Sequence, residues 1–292
     1  MRVKQLAERL IHRSPSENVR ALGAKLRTGS ADFDYDLQTV LRSPYHMNAS
    51  RPIDRYFRYQ RVLSNRIPWQ DLEFEGKTVL EIGCGPLLGW APLGIYLGCE
   101  RYYCVEPRMR REPLDCTDIE TRFLLPMHQQ LEALFDKGLT FAEFKRRLRD
   151  RTRCMVQDFE RCQPPEAGVD LLISNNVLQH FSNVELCFEQ MRRICRARAQ
   201  HFHVIRFIDH ESPPDRPFEL IYGMSPKQYF ESRSLLNLKR PSEMLELFER
   251  HGIQVRVVPY YRDEALSTRE IHPHWKRFAP DDLDIQIAFF VS

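Results

Sequence analysis

Short runs of apolar residues alternate with longer amphipathic stretches along most of this chain. Residues 79–82 and 169–173 are nearly continuous in apolar side chains, as expected for strands that are buried on both faces of a parallel sheet. Between such runs, apolar residues recur every three or four positions, as they do across residues 184–195, and this is the period of a helix that packs by one face. The alternation predicts an α/β fold with helices on a sheet.

The same pattern gives bounds for the individual elements. Strands are predicted at residues 78–82, 100–106, 154–158, 169–174, 202–208, 253–258 and 284–291. Helices are predicted at residues 90–97, 126–135, 141–149, 183–195 and 241–251. Thr140 with Glu143 forms a capping box, and Ser182 is the expected cap of the helix that follows it.

Residues 1–75 have a loose helical period and predict an N-terminal helical extension. Within it, Pro52 stands early in a helix, and Arg55, Arg58 and Tyr59 share one face because they are three or four positions apart. Two interpretations stay open. The segment is a lid whose arginines and tyrosines meet a ligand, or it is a solvated basic face beside packed aromatic side chains.

A glycine-rich turn, Gly83-Cys84-Gly85-Pro86, follows the first strand and precedes a helix. This arrangement holds nucleotide-type cofactors at the carboxyl edge of a parallel sheet, because glycine lets the backbone approach the ligand. A dinucleotide fingerprint requires a third glycine where Leu88 stands. Glu81 is unsuited to a pyrophosphate but suits a ligand with a positive end, such as the amino group of a methionine moiety. A tight turn without a ligand is the alternative.

The pattern Glu81-x-Gly83-x-Gly85 resembles the first motif of class I S-adenosylmethionine-dependent methyltransferases. The usual third glycine falls at Leu87, with Gly89 two residues later, which predicts a longer turn. The resemblance covers residues 76–292 and implies S-adenosyl-L-methionine as the cofactor. It also implies a seven-stranded Rossmann-like sheet, mostly parallel with the last strand antiparallel, and helices on both faces.

Two segments of this methyltransferase domain are longer than simple connections. Residues 108–150 are predicted to be a helical insertion, and its basic cluster at 145–153 reads either as a solvated helix face or as a contact for a phosphate-bearing acceptor. Residues 209–240 are rich in proline and aromatic residues, and we expect them to form a lid on the acceptor side.

Acidic residues end the second and third predicted strands. Glu106 lies about twenty residues beyond the glycine turn, where a carboxylate can accept hydrogen bonds from both ribose hydroxyls. The resembled family carries its ribose-binding acid at this place. By the same resemblance, Asp158 accepts a bond from the adenine amino group and Phe159 packs on the adenine ring. Surface acids are the alternative for both carboxylates.

Asn175 and Asn176 follow the fourth strand, in the segment that lies beside the transferable methyl group in the resembled family. Both are candidate cofactor-binding residues, with a role in capping or in the turn as the alternative. His180 stands where the family has a recurring histidine. It is a candidate catalytic residue, or else a histidine at the start of a helix that bonds to the backbone.

Asp209 and His210 come at the end of the fifth strand, on the acceptor side of the sheet. An alcohol acceptor loses a proton as it attacks, and histidine is suited to accept it. His210 is the first candidate base, with Asp209 as its helper or as the base itself, and His180 is the second. A structural role is the alternative for each histidine.

The favoured function is O-methylation of a sugar or another small hydroxyl-bearing acceptor. The Asp-Pro-Pro-Tyr or Asn-Pro-Pro-Tyr turn expected for methylation of base amino groups is missing, since Asn175-Asn176-Val177 stands there. The Asp209-His210 pair, the aromatic lid and the helix start at Arg240 are similar to methyltransferases associated with bacterial polysaccharides. RNA or DNA methylation and a non-catalytic cofactor-binding module remain as alternatives.

The composition limits the possible binding partners of the protein and the cellular compartment that suits it. The balance of 43 Lys and Arg against 40 Asp and Glu gives a net charge of +3, which does not favour nucleic acid. Eight cysteines without a Cys-x-x-Cys pair favour a reducing, cytoplasmic setting. The sequence contains no run of 18 apolar residues, so no membrane span is expected. No metal site is expected at His201-x-His203 or at 272–274, because acids and cysteines do not surround them.

Overall fold

Seven strands form one mixed sheet in the order β3-β2-β1-β4-β5-β7-β6. The computed structural model describes residues 36–109, 113–163, 168–209, 212, 216–232, 236–263 and 271–292. The strands are β1 Thr78–Ile82, β2 Arg101–Val105, β3 Thr152–Met155, β4 Val169–Asn175, β5 Cys195–Arg206, β6 Arg256–Arg262 and β7 Ile285–Val291. All neighbours from β3 to β5 pair in parallel, and β7 runs antiparallel to both β5 and β6. This is the predicted Rossmann-like methyltransferase sheet.

The helices of four or more residues are numbered in chain order. They are α1 Leu37–Arg42, α2 Ser50–Ser64, α3 Ala91–Tyr96, α4 Leu125–Phe135, α5 Phe141–Arg151, α6 Val184–Ile194, α7 Glu219–Tyr222, α8 Pro226–Ser232, α9 Pro241–Arg250 and α10 Pro280–Leu283. A single turn at Thr117–Ile119 continues through a π-helical turn at Glu120–Leu124 into α4. None of the helices in the described part of the chain is long and apolar enough to cross a bilayer.

Alternating side chains of the strands divide the core between the two faces of the sheet. Leu171, Ile173 and Phe202 point to one face, where they join the buried residues of α2, α3, α4 and α5. Leu172 and Ile205 point to the other face, against α6 and α9. The sheet is therefore covered on both sides, which accounts for the nearly continuous apolar runs of its central strands.

Most predicted elements are present, and the differences lie at their ends. Asn183, rather than Ser182, caps α6, because its Oδ1 accepts the Leu186 N–H at 3.1 Å. β6 begins at Arg256, later than predicted. Ile253 still belongs to the turn that ends α9, where its N–H donates to the Phe248 carbonyl at 2.9 Å. The Thr140 cap holds as predicted, with its Oγ1 accepting the Glu143 N–H at 3.2 Å.

A third, smaller apolar cluster lies beyond the carboxyl end of β5 and includes Phe218, Tyr222, Tyr229 and Trp275. Arg240 joins it to the sheet. Its guanidinium is buried and donates to the carbonyls of Phe207, Asp282, Leu283 and Ile285 at 2.8–3.2 Å. The part of the predicted lid that the structure describes, 216–232 and 236–240, is thus fastened to β5 and to the start of β7.

Candidate cofactor and acceptor site

The glycine turn after β1 is shaped by two close approaches inside the protein. Gly83 has a φ of +69°, and a Cβ there would overlap the side chain of Val177. Gly89 has a φ of +55°, and a Cβ there would overlap the Glu81 carboxylate. Leu88 also lies in the left-handed region, at a φ of +65°. The longer turn predicted from the shifted third glycine is therefore built so that Gly89 closes over Glu81.

Glu81 lies beneath this turn and is buried. Its Oε2 accepts the Trp90 N–H at 2.8 Å and the Tyr102 hydroxyl at 2.6 Å. Burial raises the pKa of Glu81 to about 7, against these hydrogen bonds and the charge of Arg55, which lower it. Because both donors are protein groups, the carboxylate ties the turn to β2 and to the start of α3.

Glu106 follows β2 and reaches the same turn. Its Oε2 accepts the Gly85 N–H at 3.1 Å, and its Oε1 accepts the Arg108 N–H at 3.2 Å. Burial raises its pKa, while these two backbone hydrogen bonds lower it. Each carboxylate oxygen keeps a further lone pair for a hydroxyl donor. The structure thus brings Glu106 and Gly85 together, as a ribose-binding acid beside a glycine turn requires.

The other two residues of the turn differ in accessibility. Cys84 is buried, with its Sγ 3.5 Å from the Gly85 carbonyl oxygen, and burial raises the pKa of its thiol well above the usual value. A thiol in this state is not a nucleophile at neutral pH. Pro86 is partly exposed at the top of the turn. Both residues would meet a cofactor through their backbone and carbon atoms.

The residues after β3 are arranged differently from the sequence-based expectation. Asp158 is exposed and precedes a short 3₁₀ turn, Phe159–Arg161. Phe159 is buried in the core, edge-to-face with Phe181 at a centroid distance of 6.3 Å. Val156, which sequence reasoning passed over, is the apolar side chain that stays exposed directly after β3. Sequence reasoning could not find Val156, because its exposure depends on where β3 ends.

Asn175 ends β4, and its Oδ1 accepts hydrogen bonds from the Tyr59 hydroxyl at 3.3 Å and the Asn176 Nδ2 at 3.1 Å. Asn176 has a φ of +56°, and its buried Oδ1 has no hydrogen-bond partner among the described residues. An oxygen in that state is available to a ligand donor. Tyr59, a residue of the N-terminal extension, therefore reaches the same edge of the sheet as the two asparagines.

His180 ends the 3₁₀ turn Leu178–His180 and is exposed. Its Nε2 lies 3.3 Å from the Gln179 Nε2. Asn237 fixes the turn from the far end of the acceptor-side segment, because its Nδ2 donates to the Leu178 carbonyl at 2.8 Å and its N–H donates to the Gln179 carbonyl at 2.8 Å. Sequence reasoning did not identify Asn237, since its role depends on a contact between segments that are distant in the chain.

Asp209 lies beyond the end of β5 and is buried. Its Oδ2 accepts the hydroxyl of Tyr229, also buried, at 2.6 Å. His210, the first candidate base, lies outside the described residues. The structure therefore supplies a buried carboxylate–phenol pair beyond the end of β5, a combination that is chemically able to accept or relay a proton.

These placements fit an S-adenosylmethionine cofactor along one edge. The carboxyl ends of three parallel strands meet at this edge. The turn at 83–86 follows β1, Glu106 follows β2, the asparagine pair lies at the end of β4, and Asp209 lies beyond β5. Glu106 would hold the ribose hydroxyls, and the unpartnered Asn176 Oδ1 would accept from a donor of the nucleoside or of the methionine end.

Two other features stand apart from this edge. An open groove of about 1190 Å³ lies at the amino ends of the strands and is lined by Lys77, Arg196 and His201 among others, at the end of the sheet opposite Glu106. Among the described residues, no group of three or more His, Cys, Asp or Glu side chains could hold a metal ion. His201 and His203 are both buried and contact each other at 3.3 Å, Nδ1 to Nε2.

Residues 134–202 match the model of a methyltransferase domain family. The match spans less than half of the chain, from the end of α4 into β5, and it includes Asp158, the asparagine pair and His180 but not the glycine turn. No curated protein matches the sequence.

Several solved structures are similar in fold. An S-adenosylmethionine-dependent methyltransferase from Aquifex aeolicus is 13% identical, with 88% of this chain and 97% of that chain covered and a TM-score of 0.42. One from Mesorhizobium loti is 15% identical, with 75% and 92% covered and a TM-score of 0.41. Phosphoethanolamine N-methyltransferase 2 of Haemonchus contortus, in complex with S-adenosyl-L-methionine, is 14% identical, with 89% and 59% covered and a TM-score of 0.46. Likenesses at this level carry no argument about the acceptor.

Proposed function

From the premise that this chain is an S-adenosylmethionine-dependent methyltransferase, we propose that it methylates a hydroxyl group of a small acceptor, with a sugar as the leading class. The premise rests on the strand order and on the match to a methyltransferase domain. The observation that carries the proposal is the buried Asp209–Tyr229 pair beyond the end of β5. Oxygen nucleophiles need a proton acceptor as they attack, and this pair stands where acceptors enter such sheets.

The cofactor, when bound, supplies an activated methyl group that passes from sulfur to the acceptor oxygen. The protein's contribution is mainly position, since holding two reactants in line can supply roughly 7–11 kcal/mol of the barrier. Glu106 and the glycine turn hold the nucleoside side, and the Asn175–Asn176 turn borders the place where the two reactants meet. Asp209 accepts the hydroxyl proton, either directly or through His210, and the Tyr229 hydroxyl stabilises the carboxylate that holds it.

A cytoplasmic location is part of the same proposal. None of the eight cysteines forms a disulfide in the part of the chain that the structure describes, which includes them all, and five of them are buried. Buried reduced thiols behave as small apolar groups, and they suit a reducing compartment.

Nucleic-acid methylation is the weaker alternative. The basic cluster on α5 is largely used within the protein, since Lys145 pairs with Glu120 at 2.6 Å and Arg147 pairs with Glu143 at 2.5 Å. Arg149 and Arg151 donate to the carbonyls of Leu114 and Cys99 at 2.9 and 3.1 Å. This helix therefore offers few free cations for phosphates, which are the main source of affinity for nucleic acid.

The test is a transfer assay with isotopically labelled S-adenosylmethionine and a panel of sugars, sugar phosphates, amines and RNA, read by mass spectrometry. We expect label on oxygen of a small hydroxyl compound. Asp209→Asn should lower kcat by about 100-fold or more and leave the Kd for the cofactor within twofold, because the amide keeps the shape of the carboxylate but not its basicity. Label on nitrogen alone, or on RNA alone, would contradict the proposal.

A matched control is Asp150→Asn, which changes an exposed carboxylate near the end of α5. It should leave kcat unchanged, since it stands just before β3, at the opposite edge of the sheet. An equal loss of kcat in both variants would mean that Asp209 is not specifically required.

A further inference from the structure

Three arginines on one side of the carboxyl edge form no direct ion pair with a described residue, although Arg55 interacts electrostatically with Glu81 and Arg206 with Asp209. Arg55 and Arg58 belong to α2, and Arg206 is the last residue of β5. Within the part of the chain that the structure describes, none of them lies within ion-pair distance of a carboxylate, whereas Arg147 and Arg196 each pair with one at 2.5 Å.

Contacts of α2 fix the position of its two arginines. The Pro52 carbonyl accepts the Trp90 Nε1–H at 3.0 Å, and the Tyr59 hydroxyl donates to Asn175 Oδ1 at 3.3 Å. Arg55 is three residues after the first anchor and four before the second, so it lies on the helix face between them. The Arg58 guanidinium carbon is 5.8 Å from the centroid of the Tyr59 ring. Both arginines thus border the turn where β4 ends.

Arg206 approaches the same region from the sheet. Side chains alternate along β5, so Arg206 shares the face of Phe202 and Val204, which is the face that α2 covers. The Tyr59 ring lies 6.2 Å from the Phe202 ring. The Arg206 Nε is buried and makes no hydrogen bond to any residue that the structure describes. Burial lowers the pKa of its guanidinium, while the charge of Asp209 raises it.

We propose that Arg55, Arg58 and Arg206 form a site for a carboxylate or phosphate group that enters with the reactants. A guanidinium donates in a planar fork that matches both groups, and a buried donor without a partner costs stability until one arrives. The inference rests on the proposed function, because it concerns the same edge of the sheet. The anion has two sources, the methionine carboxylate of the cofactor or an acidic group of the acceptor, which would then be an anionic hydroxyl compound.

The first arm of the test asks whether the cofactor supplies the anion. S-adenosylhomocysteine and 5′-methylthioadenosine, which lacks the carboxylate, are titrated by calorimetry into the wild type and into Arg55→Met, Arg58→Met and Arg206→Met. If the cofactor supplies the anion, S-adenosylhomocysteine binds about tenfold or more weakly to the variants, as expected for one lost hydrogen bond to a charged group. The affinity for 5′-methylthioadenosine stays within twofold.

The second arm asks whether the acceptor supplies it. Inorganic phosphate is titrated into protein saturated with S-adenosylhomocysteine. If the acceptor supplies the anion, phosphate binds this complex, and each Arg→Met variant loses about tenfold or more of that affinity. Arg192→Met is the control, since Arg192 is exposed on α6, at the opposite end of the sheet. It should change neither affinity by more than twofold.

The proposal is overturned if the three variants bind S-adenosylhomocysteine and phosphate as Arg192→Met does, or if the wild type shows no carboxylate preference and no phosphate binding. Arg58 is exposed, so its variant folds even if the half-buried Arg206 does not tolerate Met. Arg206→Lys, which keeps the charge but not the fork, should lose less affinity than Arg206→Met. Neither arm measures turnover, so a failure of O-methylation would leave these outcomes unchanged.

Discussion

Glu81 and Gly89 act together, although they are eight positions apart in the chain. The carboxylate receives the Trp90 N–H and the Tyr102 hydroxyl, and the backbone of Gly89 passes so close that a side chain there would overlap it. Sequence reasoning assigned Glu81 to the ligand. Its hydrogen bonds give Glu81 a second role inside the turn, which explains why the third glycine of the resembled motif is displaced.

Gly89→Ala should therefore destabilise the protein by about 3 kcal/mol, from the overlap with Glu81 together with the left-handed φ. Gly76→Ala is the control, because Gly76 has a similar φ of +66° with nothing within 4 Å of its Cβ position. It should cost only about 1 kcal/mol. Urea unfolding measures both values, and equal losses would contradict the close packing over Glu81.

Glu106 is the residue through which ribose binding can be tested most directly. Glu106→Ala should weaken S-adenosylhomocysteine binding by about 1–3 kcal/mol, since two ribose hydroxyls would lose their acceptor. Calorimetry measures the change. Glu100→Ala, which removes an exposed carboxylate just before β2, should leave the Kd as it is. An unchanged Kd for the Glu106 variant would remove that residue from the site.

At the scale of elements, the segment beyond β5 that is proposed to lie on the acceptor side is held by the buried guanidinium of Arg240. Among the described residues, the carboxylates whose charges act on the Arg240 guanidinium are Glu243, Asp282 and Asp284, which are only partly buried and form no ion pair with it. Instead it donates to four backbone carbonyls and lies 5.1–5.6 Å from the ring centroids of Phe207, Phe218 and Tyr222. The same residue begins α9, where its N–H donates to Glu243 Oε2 at 3.1 Å. The third apolar cluster depends on this junction.

Arg240→Met should cost about 3 kcal/mol or more, because it leaves several buried carbonyls without a donor. Arg198→Met, at an exposed position of β5, should change the free energy of unfolding by less than 0.5 kcal/mol. Hydrogen exchange in the Arg240 variant should accelerate most in α7 and α8. Uniform exchange across the sheet would show that the junction does not hold that segment.

Elements were predictable from the sequence to different degrees, for physical reasons. The run at 169–175 is apolar on both faces, so its strand is read directly from the residues. The side-chain directions of Glu81 and Arg240 were not predictable, because they are set by partners 9 to 45 residues away in the chain. β5 begins at Cys195 rather than Phe202, because Cys195 already pairs with Val169, and a register shift follows before Leu171 pairs with Gln200.

At the scale of the whole molecule, two buried titratable groups have opposite effects on how the free energy of unfolding depends on pH. Burial raises the pKa of Glu81 to about 7 and lowers that of His201 to about 4. Glu81 in the unfolded chain loses its proton first, so its contribution to stability is present below about pH 4.5 and is lost as the pH rises towards 7. His201 acts in the opposite direction, since the unfolded chain takes up its proton as the pH falls below about 6.5.

The difference between wild type and Glu81→Gln isolates the first effect. Relative to the variant, the wild type should lose up to about 3 kcal/mol of unfolding free energy between pH 4.5 and pH 8, because Gln does not ionise. Urea unfolding at half-unit pH steps gives this difference. A parallel course of the two curves would show that Glu81 titrates normally in the folded protein.

The hydrogen bonds from Asn237 to the turn at His180 have a consequence for how such a protein diversifies. They join the turn at His180, a proposed catalytic residue, to a residue 56 to 59 positions further along the chain, at the end of the segment proposed to cover the acceptor. An insertion or deletion in that segment would pull on the turn directly. A change of acceptor would then come with a small displacement of His180, so that selectivity and rate would evolve as one trait.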